Sequence, residues 1–262
     1  MTDAPVVVIT GASGGIGAAI AGRLARDGNR LVLAARREPE LVTVAAEAES
    51  LGAAGALAIT TDVTRREEID WLRDKTIESY GRIDVWINNA GRGITRSALD
   101  LTDDNVDDMI SVNLKSALYG MQAAIPHFIE RGSGKLINIS SFLSRVPIAT
   151  YRSAYSASKA ALNSLTANAR MDLRARYPNI HVSLVMPGVV TTDFARNAGT
   201  DTLPGGTRRP AGPMRPQTPD EVAERIADVI RNPVAEIYTN PASAQIARDY
   251  FADVGAFEER LV

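Results

Sequence analysis

Seven short apolar runs rich in β-branched residues recur along the chain, at Val6–Thr10, Arg30–Ala35, Ala56–Thr61, Ile83–Asn88, Lys135–Ser140, Ile180–Met186 and Glu236–Thr239. The stretches between them carry helical periodicity. Strands that alternate with helices in this way pair in parallel, because each crossover helix returns the chain to the same end of the sheet. The pattern predicts an α/β fold: a parallel sheet of about seven strands, with helices on both faces. At 262 residues and 45% hydrophobic content the chain can bury a sizeable core, and it is read as one domain spanning residues 1–262. Thr64 with Glu67 and Thr218 with Glu221 read as capping boxes at helix starts, and Pro219 takes a favoured first helical position.

The first strand runs into Thr10-Gly11-Ala12-Ser13-Gly14-Gly15-Ile16-Gly17, and a helical pattern follows from Ala18 to Arg26. A strand, a glycine turn and a helix start aim backbone N–H groups and the helix dipole at an anion, which makes the segment a phosphate cradle. Gly11, Gly15 and Gly17 depart from the G-x-G-x-x-G spacing of the common dinucleotide fingerprint. Further along, Tyr155 and Lys159 stand four residues apart in a helical segment and so share a face. A nearby lysine cation is expected to lower the phenol's proton affinity, which makes Tyr155 a candidate acid/base.

Together with Asn88-Asn89-Ala90-Gly91, Asn113, Ser141 and Pro187-Gly188, these segments resemble the classical short-chain dehydrogenase/reductase family, from about Val6 to about Pro241 and in the family's order. The resemblance implies a single Rossmann-like, doubly wound domain. It makes Tyr155 the proton donor in reduction and the base in oxidation, with Ser141 on the carbonyl oxygen. Lys159 would contact the nicotinamide ribose and Asn113 would help hold the lysine and a water. Gly11, Ser13, Gly15, Ile16 and Gly17 would form the cofactor turn, and Asp62-Val63 would contact adenine. Asn88, Ala90 and Gly91 would line the cofactor side of the fourth strand's end, with Asn89 structural. Pro187, Gly188, Val190 and Thr192 would form the nicotinamide pocket.

Ser140 and Ser141 are adjacent, so strand alternation turns one of them away from the pocket. The resemblance favours Ser141, although the segment to Tyr155 is one residue longer than usual; Ser144 is a weaker alternative. The second strand ends Leu33-Ala34-Ala35-Arg36-Arg37, with Ala35 where a NAD-preferring site places an acid. No carboxylate repels a 2′-phosphate there, and Arg36 and Arg37 can bind one, so NADP(H) is the expected cofactor.

The expected activity is hydride transfer between nicotinamide and a carbonyl or secondary alcohol, with reduction favoured because cells generally keep this cofactor reduced. A non-catalytic dinucleotide-binding sensor or scaffold is the alternative, although such relatives usually lose the tyrosine or lysine. Nucleotide-sugar dehydration or epimerisation is disfavoured because the chain lacks room for the C-terminal substrate domain those enzymes carry.

A stretch at about residues 194–216, crowded with Gly, Pro, Thr and Arg, reads as a variable substrate loop, and Arg208, Arg209 and Arg215 would favour an acidic substrate if they pointed inward. Arg92, Ile94, Phe142, Ser144, Arg145, Tyr151, Val189 and Phe194 are candidate pocket residues. A net charge of −2 argues against nucleic acid, and no apolar run is long enough to span a membrane, so cytoplasmic residence is expected. Neither histidine, His127 or His181, sits with carboxylates at ligand spacing, so no metal site is expected, and with no cysteine there is no disulfide. Pairing through the long helices, about Asp104–Arg131 and Ala154–Tyr177, would give a homodimer or homotetramer.

Overall fold

The computed structural model describes residues 4–194, 198–199 and 214–261. Strands β1 (Val6–Thr10), β2 (Arg30–Ala35), β3 (Gly55–Thr60), β4 (Val85–Asn88), β5 (Gly134–Ile139), β6 (Ile180–Met186) and β7 (Glu236–Tyr238) form one sheet in the order β3-β2-β1-β4-β5-β6-β7. Every neighbouring pair is parallel. The connecting helices are α1 (Gly15–Ala25), α2 (Glu38–Ser50), α3 (Arg66–Tyr80), α4 (Asp103–Ile110), α5 (Ser116–Arg131), α6 (Ser153–Arg174) and α7 (Pro219–Arg231), with α8 (Ser243–Ala252) and α9 (Val254–Glu259) after β7.

The strands alternate their side chains between two cores. Val7, Ile9, Leu31, Leu33, Val85 and Ile87 pack against Ile20 and Leu24 of α1, Leu41 of α2 and Val222 and Ile226 of α7. Val8, Val32 and Trp86, the residues between them, pack on the opposite face against Leu72 of α3, Phe128 of α5 and Leu173 of α6. Both faces of the sheet are thus covered, which is why these strands read as continuous apolar runs. Winding reverses between β1 and β4, and a doubly wound sheet opens its ligand crevice at the carboxyl ends of the strands where it reverses.

Several boundaries differ from the sequence reading. Thr64 does not cap α3: its hydroxyl and N–H both donate to Asp62 Oδ1, and Glu68, one position beyond the expected Glu67, accepts from the Asp62 N–H. The box at Thr218 and Glu221 forms as expected. The long helix from residue 103 to 131 carries a π-helical turn at Ser111–Lys115, between α4 and α5. Wider turns of this kind commonly mark functional positions, and Asn113 sits at the centre of this one. Most of the expected 194–216 loop, including Arg208 and Arg209, lies outside the described residues. Arg215 is described, and its exposed side chain pairs with Glu221 rather than pointing inward. No helix among the described residues is long and apolar enough to cross a membrane.

Candidate active site

The glycine turn closes on the end of β4. Gly11 adopts φ +67°, and a Cβ there would lie 2.8 Å from the Ala90 Cα. The Asn89 amide clamps the turn by donating to the carbonyls of Thr10 and Gly11 at 2.9 and 3.2 Å. At Gly17 a Cβ would meet the Gly11 carbonyl oxygen at 2.2 Å, so α1 can approach the turn only without a side chain. Helix α1 starts at Gly15 with no side-chain cap and no acid in its first turn. Its first N–H groups and its dipole therefore remain suited to an anion. Gly15, Thr191, Thr192, Asp193 and Pro219 line an open cleft of about 500 Å³ beside this start.

Arg37 reaches the turn, donating to the carbonyl and hydroxyl oxygens of Ser13 at 3.1 and 3.2 Å and to Glu40. Arg36 stands exposed at the end of β2, near enough for its charge to act on Asp62. Burial would raise the Asp62 carboxyl, but bonds from Thr64 and the charges of Arg36 and Arg65 hold its pKa below the usual value. Val63 beside it is buried. Asn88 spends its side chain inside the fold: it accepts from Trp86 Nε1 and donates to Ala117 O and Asn138 Oδ1, so only its main chain can line a cofactor site. Gly91 lies over the deeper part of the site, where a Cβ would be 3.0 Å from Asn113 Oδ1 and 3.4 Å from Lys159 Nζ.

Tyr155 and Lys159 occupy the first two turns of α6. The Tyr155 ring is buried against Met109, Ala154, Ile94 and Phe194, with the Phe194 ring centroid 5.3 Å away. The Ser141 side chain, whose hydroxyl accepts from the Leu143 N–H at 3.2 Å, lies near enough to the phenol to lower its proton affinity. Ser140 turns the other way, donating to Asn163 Oδ1 at 2.6 Å. Ser144 is also held internally, by the Asn163 amide and the Ser141 carbonyl. Of the three serines, then, Ser141 is the one brought to Tyr155.

The electrostatics run opposite to the sequence expectation. Burial raises the Tyr155 phenol above its ordinary pKa, and the Ser141 side chain and the Arg152 charge offset this only in part. Lys159, 4% exposed, donates to the Ile139 carbonyl at 2.8 Å, and burial pushes its own pKa down to about 8. The unfolded chain therefore holds more protons on this lysine than the folded one between pH 8 and its ordinary 10.5. Its contribution to stability rises with pH across that window. Lys159→Met is expected to flatten the rise, read as the wild-type-minus-variant difference in thermal stability at pH 7 and pH 10.

Asn113 holds backbone rather than the lysine. It accepts from the Arg92 N–H at 3.0 Å and donates to the Arg92 carbonyl and to Ser158 Oγ. Pro187, Gly188 and Val190 follow β6, where the Pro187 carbonyl accepts from the Phe142 N–H and Thr192 accepts from the Phe194 N–H. The Ile16 side chain packs on the α1 face of the core. Among the expected pocket residues, Phe142 is buried with Val146, Met214 and Ile246, Arg145 pairs with Glu236, and the Arg92 side chain pairs with Asp108. His127 accepts from the Ile83 N–H, a packing role. The sequence reading passed over Arg152, whose only signal is its place three residues before Tyr155 at a helix start.

The family model described as short chain dehydrogenase matches residues 5–203. An uncharacterized oxidoreductase of Staphylococcus aureus strain N315 is 38% identical over 192 residues, covering 73% of this chain and 80% of its own. Among solved structures, a short chain dehydrogenase/reductase from Burkholderia phymatum in complex with NAD superposes with a TM-score of 0.85 at 26% identity, over 97% of this chain and 95% of its own. An actinorhodin polyketide ketoreductase with NADPH gives 0.83 at 31% identity, over 93% and 98%.

Proposed function

Because the chain belongs to the short-chain dehydrogenase family, we propose that it is an NADP-dependent oxidoreductase acting on a carbonyl or secondary alcohol, in the reductive direction. The observation that carries this reading is the placement of Tyr155 against Ser141, with Lys159 one turn further along α6 and the glycine cradle closed on the neighbouring strand end. The cradle fits a dinucleotide: a side chain at Gly11, Gly17 or Gly91 would crowd the turn or the floor of the site, and the start of α1 is uncapped.

When bound, the nicotinamide dinucleotide supplies or accepts the hydride. Main-chain N–H groups at the start of α1 bind its pyrophosphate. The Ser141 hydroxyl donates to the substrate carbonyl oxygen and fixes it beside the phenol. Tyr155 gives its phenolic proton to that oxygen as negative charge develops there. The raised phenol pKa suits this direction, since it keeps Tyr155 protonated near neutral pH. The Lys159 ammonium supports the proton's return to the phenolate, and Asn113 fixes the Arg92 main chain that flanks them. The chain works as a homo-oligomer, a reading supported by the exposed apolar side chains of Val106 and Met171 on α4 and α6.

The test follows NADPH consumption with a panel of ketones and aldehydes. Carbonyl-dependent oxidation of NADPH is expected; NADPH binding without turnover on any member of the panel would favour a cofactor sensor. Arg36→Asp is expected to weaken NADPH far more than NADH, measured by calorimetry. Equal loss of both would mean that the arginine does not read the 2′-phosphate.

A further inference from the structure

Arg152 is buried to 6% exposure at the start of α6, one turn before Tyr155. Its main chain is fixed on both sides: the N–H donates to the Ala149 carbonyl, and its carbonyl accepts from the Ser156 N–H, each at 2.8 Å. Residue 152 also bridges to Arg96 of the loop after β4, and its Nη1 donates to the Ile94 carbonyl of that loop at 3.3 Å. The guanidinium carbon lies 5.9 Å from the Phe194 ring centroid, and that ring in turn lies 5.3 Å from the Tyr155 ring. Tyr151 flanks the guanidinium at 5.6 Å.

We infer that Arg152 is a positioning residue of the active site, which seats Phe194 against the Tyr155 ring and sets a fixed positive charge within electrostatic reach of the phenol. The inference rests on the acid/base reading of Tyr155. Arginine suits both tasks, since a planar guanidinium stacks on aromatic faces and stays charged at any working pH. Lysine could not hold this charge equally well in a buried place, because burial lowers the pKa of an ammonium group, as it does at Lys159. The fixed cation favours the phenolate and so opposes part of the effect of burial on Tyr155. Among the described residues, other charged groups on the elements around the ring include Lys159 on the same helix, Arg96 and the Arg92–Asp108 pair of the β4 loop and α4, and Asp193 next to Phe194.

The sign follows directly: removing the cation raises the phenol's proton affinity, so the phenolate forms at higher pH. The test titrates the Tyr155 phenol by ultraviolet difference spectroscopy, wild type against Tyr155→Phe, and repeats the measurement in Arg152→Gln and Arg152→Lys backgrounds. Glutamine can keep the bond to the Ile94 carbonyl without the charge. The expected result is a phenol that ionises at higher pH in Arg152→Gln. Alcohol oxidation at a fixed pH below the midpoint then falls on the order of tenfold, with the pH profile moved to match. Arg152→Lys is expected to restore the midpoint in part. An unmoved midpoint in Arg152→Gln, whatever happens to thermal stability, overturns the inference. Failure of the acid/base reading itself shows separately, as normal turnover in Tyr155→Phe.

Discussion

Tyr155→Phe lowers turnover by about 10² to 10⁴ while leaving cofactor affinity near that of the wild type. The ring keeps its packing against Met109, Ile94 and Phe194, so the substitution deletes one oxygen from a buried site that is otherwise preserved. That oxygen lies near the Ser141 side chain, and in the proposed reaction it carries the proton that neutralises the developing alkoxide. Loss is expected in kcat, because the proton transfer is made only in the transition state. Substrate binding falls less, since Ser141 still donates to the carbonyl. Steady-state kinetics with any accepted carbonyl compound check this, with cofactor affinity measured by calorimetry on the same preparations. Near-normal turnover would remove Tyr155 from the acid/base role.

Gly17→Ala is expected to have the second-largest effect, by a wholly different route. A Cβ at residue 17 would sit 2.2 Å from the Gly11 carbonyl oxygen and 2.9 Å from the Ala12 Cα. Both are backbone atoms of the turn that would hold the pyrophosphate, so neither can rotate away as a side chain would. Either α1 withdraws from β1 or the turn opens, and overpacking of this kind typically costs about 1–3 kcal/mol. The displaced N–H groups no longer converge, and cofactor affinity falls by more than tenfold, measured by nicotinamide fluorescence. A variant that binds cofactor normally would mean that the turn is more compliant than its contacts indicate. Gly28→Ala is a useful control: that glycine also has positive φ, but its Cβ would meet nothing within 4 Å, so the change carries backbone strain without a clash at the cradle.

The sheet was legible because its strands are buried on both faces. Val7 and Ile9 face one core and Val8 the other, so β1 reads as an unbroken β-branched run, and β2 and β4 likewise read as largely apolar runs. Gly11 and Gly17 were legible for a related reason: where two backbones must touch, only glycine fits. The π-helical turn at Ser111–Lys115 left no trace, since one wider turn disturbs the apolar pattern of a long helix very little. The side-chain bonds of Asn88 were not legible, because a strand-end asparagine looks the same in sequence whether its amide faces a ligand or a buried ladder to Asn138 and Thr166.

The direction of the Tyr155 shift was beyond the sequence for a physical reason. Spacing shows that Lys159 shares a face with the phenol. Only the packing shows that the ring is buried, that the lysine donates to the Ile139 carbonyl, and that Arg152 adds a second positive charge near the phenol. Thr64 illustrates a smaller ambiguity: it stands three residues before Glu67 as a capping box would have it, but its hydroxyl is spent on Asp62 and α3 starts with no side-chain cap.

The central claim is that this cradle and its arginines bind a 2′-phosphorylated nicotinamide dinucleotide, and titrating the wild-type protein with NADPH and NADH in parallel tests it most directly. A charge-assisted hydrogen bond is worth roughly 1.5–3 kcal/mol, so even a single one from Arg36 or Arg37 predicts NADPH binding about tenfold to more than a hundredfold tighter. Equal affinity, tighter NADH or no binding of either would contradict the account.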